Sequence, residues 1–135
     1  MNWSVRHVDE HDASLTAEWW EGHGQAPPNV AILPKCGVVA LHEGKESAAG
    51  WLYMDNSTGV CWAAWLVTNP WIGIRQRHEG MRHVLQALKV MAEANDYGVM
   101  FTETSSHGLG VLLQREGFQK NHQVTQFFGS TREVA

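Results

Sequence analysis

Between Arg75 and Arg82 the chain reads Arg-Gln-Arg-His-Glu-Gly-Met-Arg, and from Met81 apolar residues recur at Val84, Leu85, Leu88 and Met91. That i, i+3, i+4, i+7 spacing predicts a helix burying one stripe, with the basic residues crowded at its start. The first turn of a helix carries backbone N–H groups without intrahelical partners and a partial positive charge. Arg75, Gln76, Arg77, His78, Glu79, Gly80, Met81 and Arg82 therefore form a candidate anion site, with phosphate the fitting anion. The same run also reads as a solvated basic helix start.

Eight histidines raise the question of a metal. His78 and His83 lie five apart near one helix, with His107 and His122 further on, a spacing that does not set ligands on one helix face. No Cys-x-x-Cys or His-Glu-x-x-His pattern supports zinc, and no metal is expected. Six of the seven tryptophans, Trp19, Trp20, Trp51, Trp62, Trp65 and Trp71, fall between positions 19 and 71. Such rings line acceptor pockets or interfaces where one end is apolar and the other wet, or they are core.

Arg77-His78-Glu79-Gly80-Met81-Arg82 resembles the Arg/Gln-x-x-Gly-x-Gly/Ala loop with which the GNAT superfamily of acyl-CoA-dependent N-acyltransferases holds the pyrophosphate of coenzyme A. Arg77 and Gly80 match, and Arg82 replaces the last small residue. Leu112-Leu113-Gln114-Arg115-Glu116-Gly117-Phe118 resembles the Leu-Tyr-x-Lys-x-Gly-Phe ending of that superfamily's last core helix, with Leu113 where many members carry Tyr. The order and separation of the two motifs extend the resemblance over nearly the whole chain.

The resemblance implies acetyl-CoA as co-substrate and an amine as acceptor. Backbone N–H groups of Leu66, Val67 and Thr68 would face the pantetheine and thioester, and those from Arg77 to Arg82 the pyrophosphate. Moving an acyl group to an amine needs orientation, removal of a proton from the ammonium and stabilisation of developing negative charge on oxygen. Many members place a Glu on the fourth strand, whereas this chain has Trp62-Ala63-Ala64-Trp65; many use the Tyr that is Leu113 here as general acid. The remaining candidates for proton transfer are Glu103, at the end of the fifth strand, and His107 just after it, because a carboxylate or an imidazole can take a proton near neutral pH. Surface or capping roles remain open for both, and Tyr53 could reach the same gap.

The elements that would position these groups follow from periodicity and turn chemistry. Trp3, Val5 and His7 alternate with polar residues as in a half-buried strand, Asp12 can cap a helix from Ala13 to Glu21, and Gly22 to Pro34 is a loop or single turn. Three strands, Gly37 to His42, Ser47 to Met54 and Val60 to Thr68, are separated by Glu43-Gly44-Lys45 and Asp55-Asn56-Ser57-Thr58-Gly59, both hairpin sequences. The run Val60 to Val67 is apolar enough for the centre of a sheet. After Asn69-Pro70, the connection Trp71 to Arg75 is longer than is usual in the superfamily, so a reshaped phosphate loop is expected. Val99 to Thr104 is a further strand, and Gln119 to Phe128 supplies a closing pair. The fold class is α/β, with one mixed sheet; the resemblance makes it mostly antiparallel, six to seven strands flanked by helices and splayed between strands 4 and 5.

A chain of 135 residues suits a single domain over its whole length, with no need of disulfides or metal. The net charge of −4 points to neither a general nucleic-acid surface nor an anionic membrane surface. Cys36 and Cys61 sit in apolar strand-like runs and read as reduced. No signal peptide or membrane-spanning stretch is visible, so a cytoplasmic protein is expected. The expected activity is acetyl transfer from acetyl-CoA to an amine of a small molecule or protein, in a short bacterial or phage-type chain, with a homodimer left open. The alternative is a GNAT-like binding or regulatory protein that has lost turnover, which Ala64 and Leu113 favour.

Overall fold

The computed structural model describes residues 2–104 and 106–121. Strand β1 is Trp3–His7, helix α1 Asp12–Gly22, β2 Gly37–His42, β3 Lys45–Met54, β4 Val60–Thr68, helix α2 Ile74–Ala94, β5 Val99–Thr102 and helix α3 His107–Arg115, with one 3-10 turn at Val30–Ile32. The five strands form one sheet in the order β1-β2-β3-β4-β5, antiparallel except for the parallel β4–β5 pair. A parallel pair needs a crossover, and α2 provides it. Five strands, rather than six or seven, are present among the described residues. Of the expected closing pair, Gln119 to Asn121 is not strand, and the remainder to Phe128 lies outside the described residues.

Tight turns explain the meander. Glu43 and Gly44 both have positive φ, 51° and 80°, which suits a two-residue hairpin whose twist matches the strands. Because that turn needs only two residues, β3 starts at Lys45, ahead of the expected Ser47. β4 lies between β3 and β5, an interior strand as its apolar run predicts, and among the described strands β3 is the middle one.

Alternation of side chains gives the sheet two apolar faces. On one, Val38, Ala40, Ala48, Leu52, Cys61 and Ala63 pack against the α2 stripe Met81, Val84, Leu85, Leu88 and Ala92, with Leu113 of α3 beside them. On the other, Trp19 of α1 covers Val39, Ala49, Trp51 and Val67. The helix lies close to its face because small residues meet there: a Cβ on Gly80 would stand 3.0 Å from Ser47 Cβ and 3.3 Å from Ala48 Cβ.

Asp12 does not cap α1. It is the first helical residue, 1% exposed, and its carboxylate accepts two bonds from Arg6 at 2.8 and 2.9 Å and one from the Asp9 N–H at 2.7 Å. Burial acts to raise the Asp12 carboxyl, but the Arg6 and Asp9 hydrogen bonds and the Arg6 charge outweigh it and hold the group below its ordinary value. The pair ties β1 to the start of α1. Cys36 and Cys61 are free thiols, both pushed up by burial. No helix among the described residues is long and apolar enough to cross a membrane.

Candidate functional site

β4 changes character in its middle. Its pairing with β5 runs from Val60↔Val99 to Ala63↔Thr102, while the strand itself continues to Thr68. Against β3 the register slips at the same level, from Trp51↔Ala64 to Ala49↔Val67, so Trp65 and Leu66 together face Gly50. This is a β-bulge. Trp65 takes φ +55°, a conformation rare for a bulky side chain. Gly50 allows the bulge to close, since a Cβ there would stand 2.6 Å from Leu66 Cδ2 and 2.9 Å from Val84 Cγ1. Trp65 Nε1 donates to Tyr53 Oη at 2.9 Å, and the Tyr53 hydroxyl in turn donates to the Ile32 carbonyl.

Beyond the bulge the backbone direction is readable. Asn69 N donates to Ser47 O at 2.9 Å, so by strand alternation the Val67 N–H also faces β3, whereas Thr68 turns its N–H and C=O to the opposite edge. The Thr68 carbonyl there accepts from His23 Nε2 at 2.8 Å. Of Leu66, Val67 and Thr68, only Thr68 is clearly turned outward. The side chains of Leu66 and Val67 are buried on opposite faces.

The basic run is not a turn ahead of a helix. It forms the first two turns of α2, which begins at Ile74. Arg77 N already bonds Gly73 O at 3.0 Å, so from Arg77 onward the N–H groups are engaged inside the helix. The unpaired donors belong to Ile74, Arg75 and Gln76, after an N-cap Gly73 whose missing side chain supplies no cap. The lengthened connection is thus partly absorbed into the helix, leaving Asn69 to Gly73 as the link, pinned by Trp71 N on Asn69 Oδ1 at 2.9 Å.

The eight residues of the run separate in space. Arg75 is exposed at the helix start; Gln76 Nε2 reaches Ser47 Oγ at 3.4 Å; Arg77 Nε donates to Ile72 O at 3.1 Å. Gly80 and Met81 are buried against the sheet. His78, Glu79 and Arg82 face α3 and, with Gly108, Leu112 and Arg115, border a cleft of about 240 Å³. Arg82 is 3.5 Å from Glu79 and 3.7 Å from Glu116. The cleft thus carries both signs of charge.

Glu103 is exposed just past the end of β5, and His107 is exposed as the first residue of α3, whose N-cap Ser106 accepts from Leu109 N at 3.3 Å. Leu113 is 7% exposed and belongs to the α2-side core. Among the described residues, no three His, Cys, Asp or Glu side chains converge as metal ligands would. Sequence reasoning missed His23, the bulge at Trp65 and the exposed Trp62. Gly50, buried in mid-strand, was the one visible signal of the bulge.

An acyl-CoA would need backbone groups along an open strand edge and donors for its phosphates. The Thr68 N–H offers the first, and the uncapped start of α2 with Arg75 the second, so the residues fit such a group.

No protein-family profile matches the sequence, and no curated protein is similar to it. Solved structures are similar in fold. The ribosomal-protein-S18-alanine N-acetyltransferase from Escherichia coli superposes with TM-score 0.75 at 14% identity, over 96% of this chain and 86% of that one. A putative acetyltransferase from Agrobacterium tumefaciens str. C58 gives 0.70 at 16%, over 93% and 99%. AAC(6')-Iy in complex with the bisubstrate analogue CoA-S-monomethyl-acetylneamine gives 0.67 at 16%, over 96% and 99%. The chain has the GNAT fold.

Proposed function

We propose that this chain is an acyl-CoA-dependent N-acyltransferase that moves acetyl from acetyl-CoA to the amine of a small molecule or protein. The observation that carries the reading is the break in β4: pairing with β5 ends at Ala63↔Thr102, and the strand continues past a bulge to present Thr68 at an open edge, one short link before the uncapped start of α2. In this reading, the sheet splays where the pairing stops. The likeness in fold to acetyltransferases, one of them a complex with a CoA-containing analogue, supports it.

Acetyl-CoA, when bound, supplies an activated acyl thioester. The Thr68 edge orients it, and Ile74, Arg75 and Gln76 hold its phosphates through backbone N–H groups and one guanidinium. The acceptor nitrogen forms the new C–N bond as the C–S bond breaks; the thiolate leaves with the sulfur electron pair, and the ammonium proton goes to a base. Glu103, at the open end of β5, is our candidate for that base, with His107 second.

One test separates binding from turnover. Acetyl-CoA at a hundred times its dissociation constant should stabilise the fold by about 2.7 kcal/mol, and an acceptor screen should release free thiol. A melting temperature indifferent to millimolar acetyl-CoA overturns the proposal. Stabilisation with no acceptor turned over favours the second reading, a protein that binds acyl-CoA without transfer. That reading draws on Ala64, where no carboxylate stands, and on Leu113, buried in the core.

A further inference from the structure

The face of the sheet covered by α1 is not covered along its whole length. Trp19 lies over Val39, Ala49, Trp51 and Val67, but in the next row outward, Tyr53↔Trp62↔Phe101, no α-helix among the described residues buries Trp62 or Phe101. Trp62 and Phe101 are 41% and 42% exposed, and their rings stack at 5.5 Å between centroids with planes 26° apart. Two large aromatic rings paired in solvent, on neighbouring strands of a sheet, form a flat platform suited to a third ring.

The row on the inner side of that platform has different chemistry. Pairing ends at Ala63↔Thr102, so Ala64 and Glu103 are the first residues past the last paired row. Ala64 is small, and Glu103 is exposed two residues beyond Phe101. Trp65, held by Tyr53, closes one wall. A carboxylate therefore follows the aromatic platform by two residues, and two residues of extended chain span about 6.6 Å. That interval has room for the two-carbon arm of an arylethylamine and a hydrogen bond from its nitrogen to the carboxylate.

We propose that the Trp62–Phe101 platform seats the acceptor, and that the acceptor is a primary amine on a short alkyl arm attached to a planar aromatic ring. The ring stacks on Trp62 and Phe101, and the ammonium meets Glu103 beside Ala64, at the level where β4 leaves β5. This rests on the acyltransferase reading for its consequence, but not for its binding site. A polyamine would find one carboxylate rather than several, and a simple alkylamine would leave the platform uncovered.

The test is binding of 2-phenylethylamine to the full chain, without acetyl-CoA, by ligand-observed NMR and calorimetry, beside hexylamine and 2-phenylethanol. We expect 2-phenylethylamine to bind tightest, Trp62→Ala to weaken it by roughly five- to tenfold, and Glu103→Gln to bring the amine down to the level of the alcohol. Phe101→Leu repeats the first arm should Trp62→Ala fail to fold. Equal binding of hexylamine, or unchanged affinity in the folded platform variants, overturns the proposal. So does concentration-dependent self-association that Trp62→Ala or Phe101→Leu abolishes, since the platform would then be an interface. Binding as expected with no acetyl transfer to any amine leaves the platform standing and removes the acyltransferase reading instead. Transfer that favours alkylamines does the reverse.

Discussion

The Thr68 carbonyl, at the open edge of β4, is held by Nε2 of His23, 2.8 Å away at the C-terminal cap of α1. A carbonyl only accepts, so the proton is on Nε2. The bond joins the end of α1 to the stretch of β4 proposed to orient the thioester. His23→Ala should cost only about 1 kcal/mol of global stability, because the site is exposed. It should nevertheless raise amide exchange at Leu66 to Asn69 and weaken stabilisation by acetyl-CoA. Unchanged exchange in that segment would show that the bond does not hold the edge.

Gly80 and Arg75 divide packing from ligand binding. Gly80→Val places methyls against Ser47 and Ala48, where even a Cβ would be 3.0 Å away, and should destabilise by about 1–3 kcal/mol with or without ligand. Arg75→Ala should leave the unliganded melting temperature unchanged and reduce the shift produced by acetyl-CoA. Thermal melts of both variants at several acetyl-CoA concentrations check this. A larger ligand-specific loss for Gly80→Val than for Arg75→Ala would return the phosphate contact to the middle of the run.

Asp12 makes stability depend on acid. Its folded value lies below the unfolded one, so its contribution is present above about pH 3.9 and is lost as pH falls through the folded value. Asp12→Asn should cost about 2 kcal/mol or more at neutral pH, since Arg6 loses a carboxylate bonded through both its terminal nitrogens. The wild-type advantage over the variant should shrink below pH 4 in urea melts. A difference constant from pH 7 to pH 3 would mean that the charge contributes nothing.

Glu103→Gln should lower acetyl transfer by roughly 10² or more while stabilisation by acetyl-CoA persists. His107→Ala should change the rate far less, because His107 lies on the first turn of α3, beyond the row shared by Ala63 and Thr102. Rates measured from pH 6 to 9 for wild type and both variants decide between them. Wild-type profiles in both would leave the proton to water or to a neutral amine.

Most of the scaffold is legible in the residues because its boundaries are chemical. Glu43-Gly44 and Asp55 to Gly59 mark the hairpins, and β2 and β4 begin and end where the apolar runs do. The start of α2 was hidden because the apolar stripe begins only at Met81, while Arg75, Gln76 and Arg77 are good helix formers that add no apolar side chain to it. The bulge was hidden because its positive φ falls on Trp65 rather than on a glycine, and Gly50 reports it only once the pairing is known. Asp12 looked like a cap because capping is local, and its actual partner, Arg6, lies across the turn on β1. The aromatic platform was hidden for a related reason: an apolar strand reads as buried on both faces, and only the reach of α1 shows that Trp62 is not.

The parallel β4–β5 pair has a kinetic meaning. β2, β3 and β4 are joined by short turns and can zip together from local contacts, whereas β5 can dock only after the 21 residues of α2 have formed and crossed the sheet. β5 is also the shortest strand, with four paired rows. Among the described strands the last to arrive is the first able to leave, so β5 with α3 should open as a unit at a free energy below that of global unfolding. The gap between β4 and β5 would then widen by detachment of a whole edge rather than by movement of a loop.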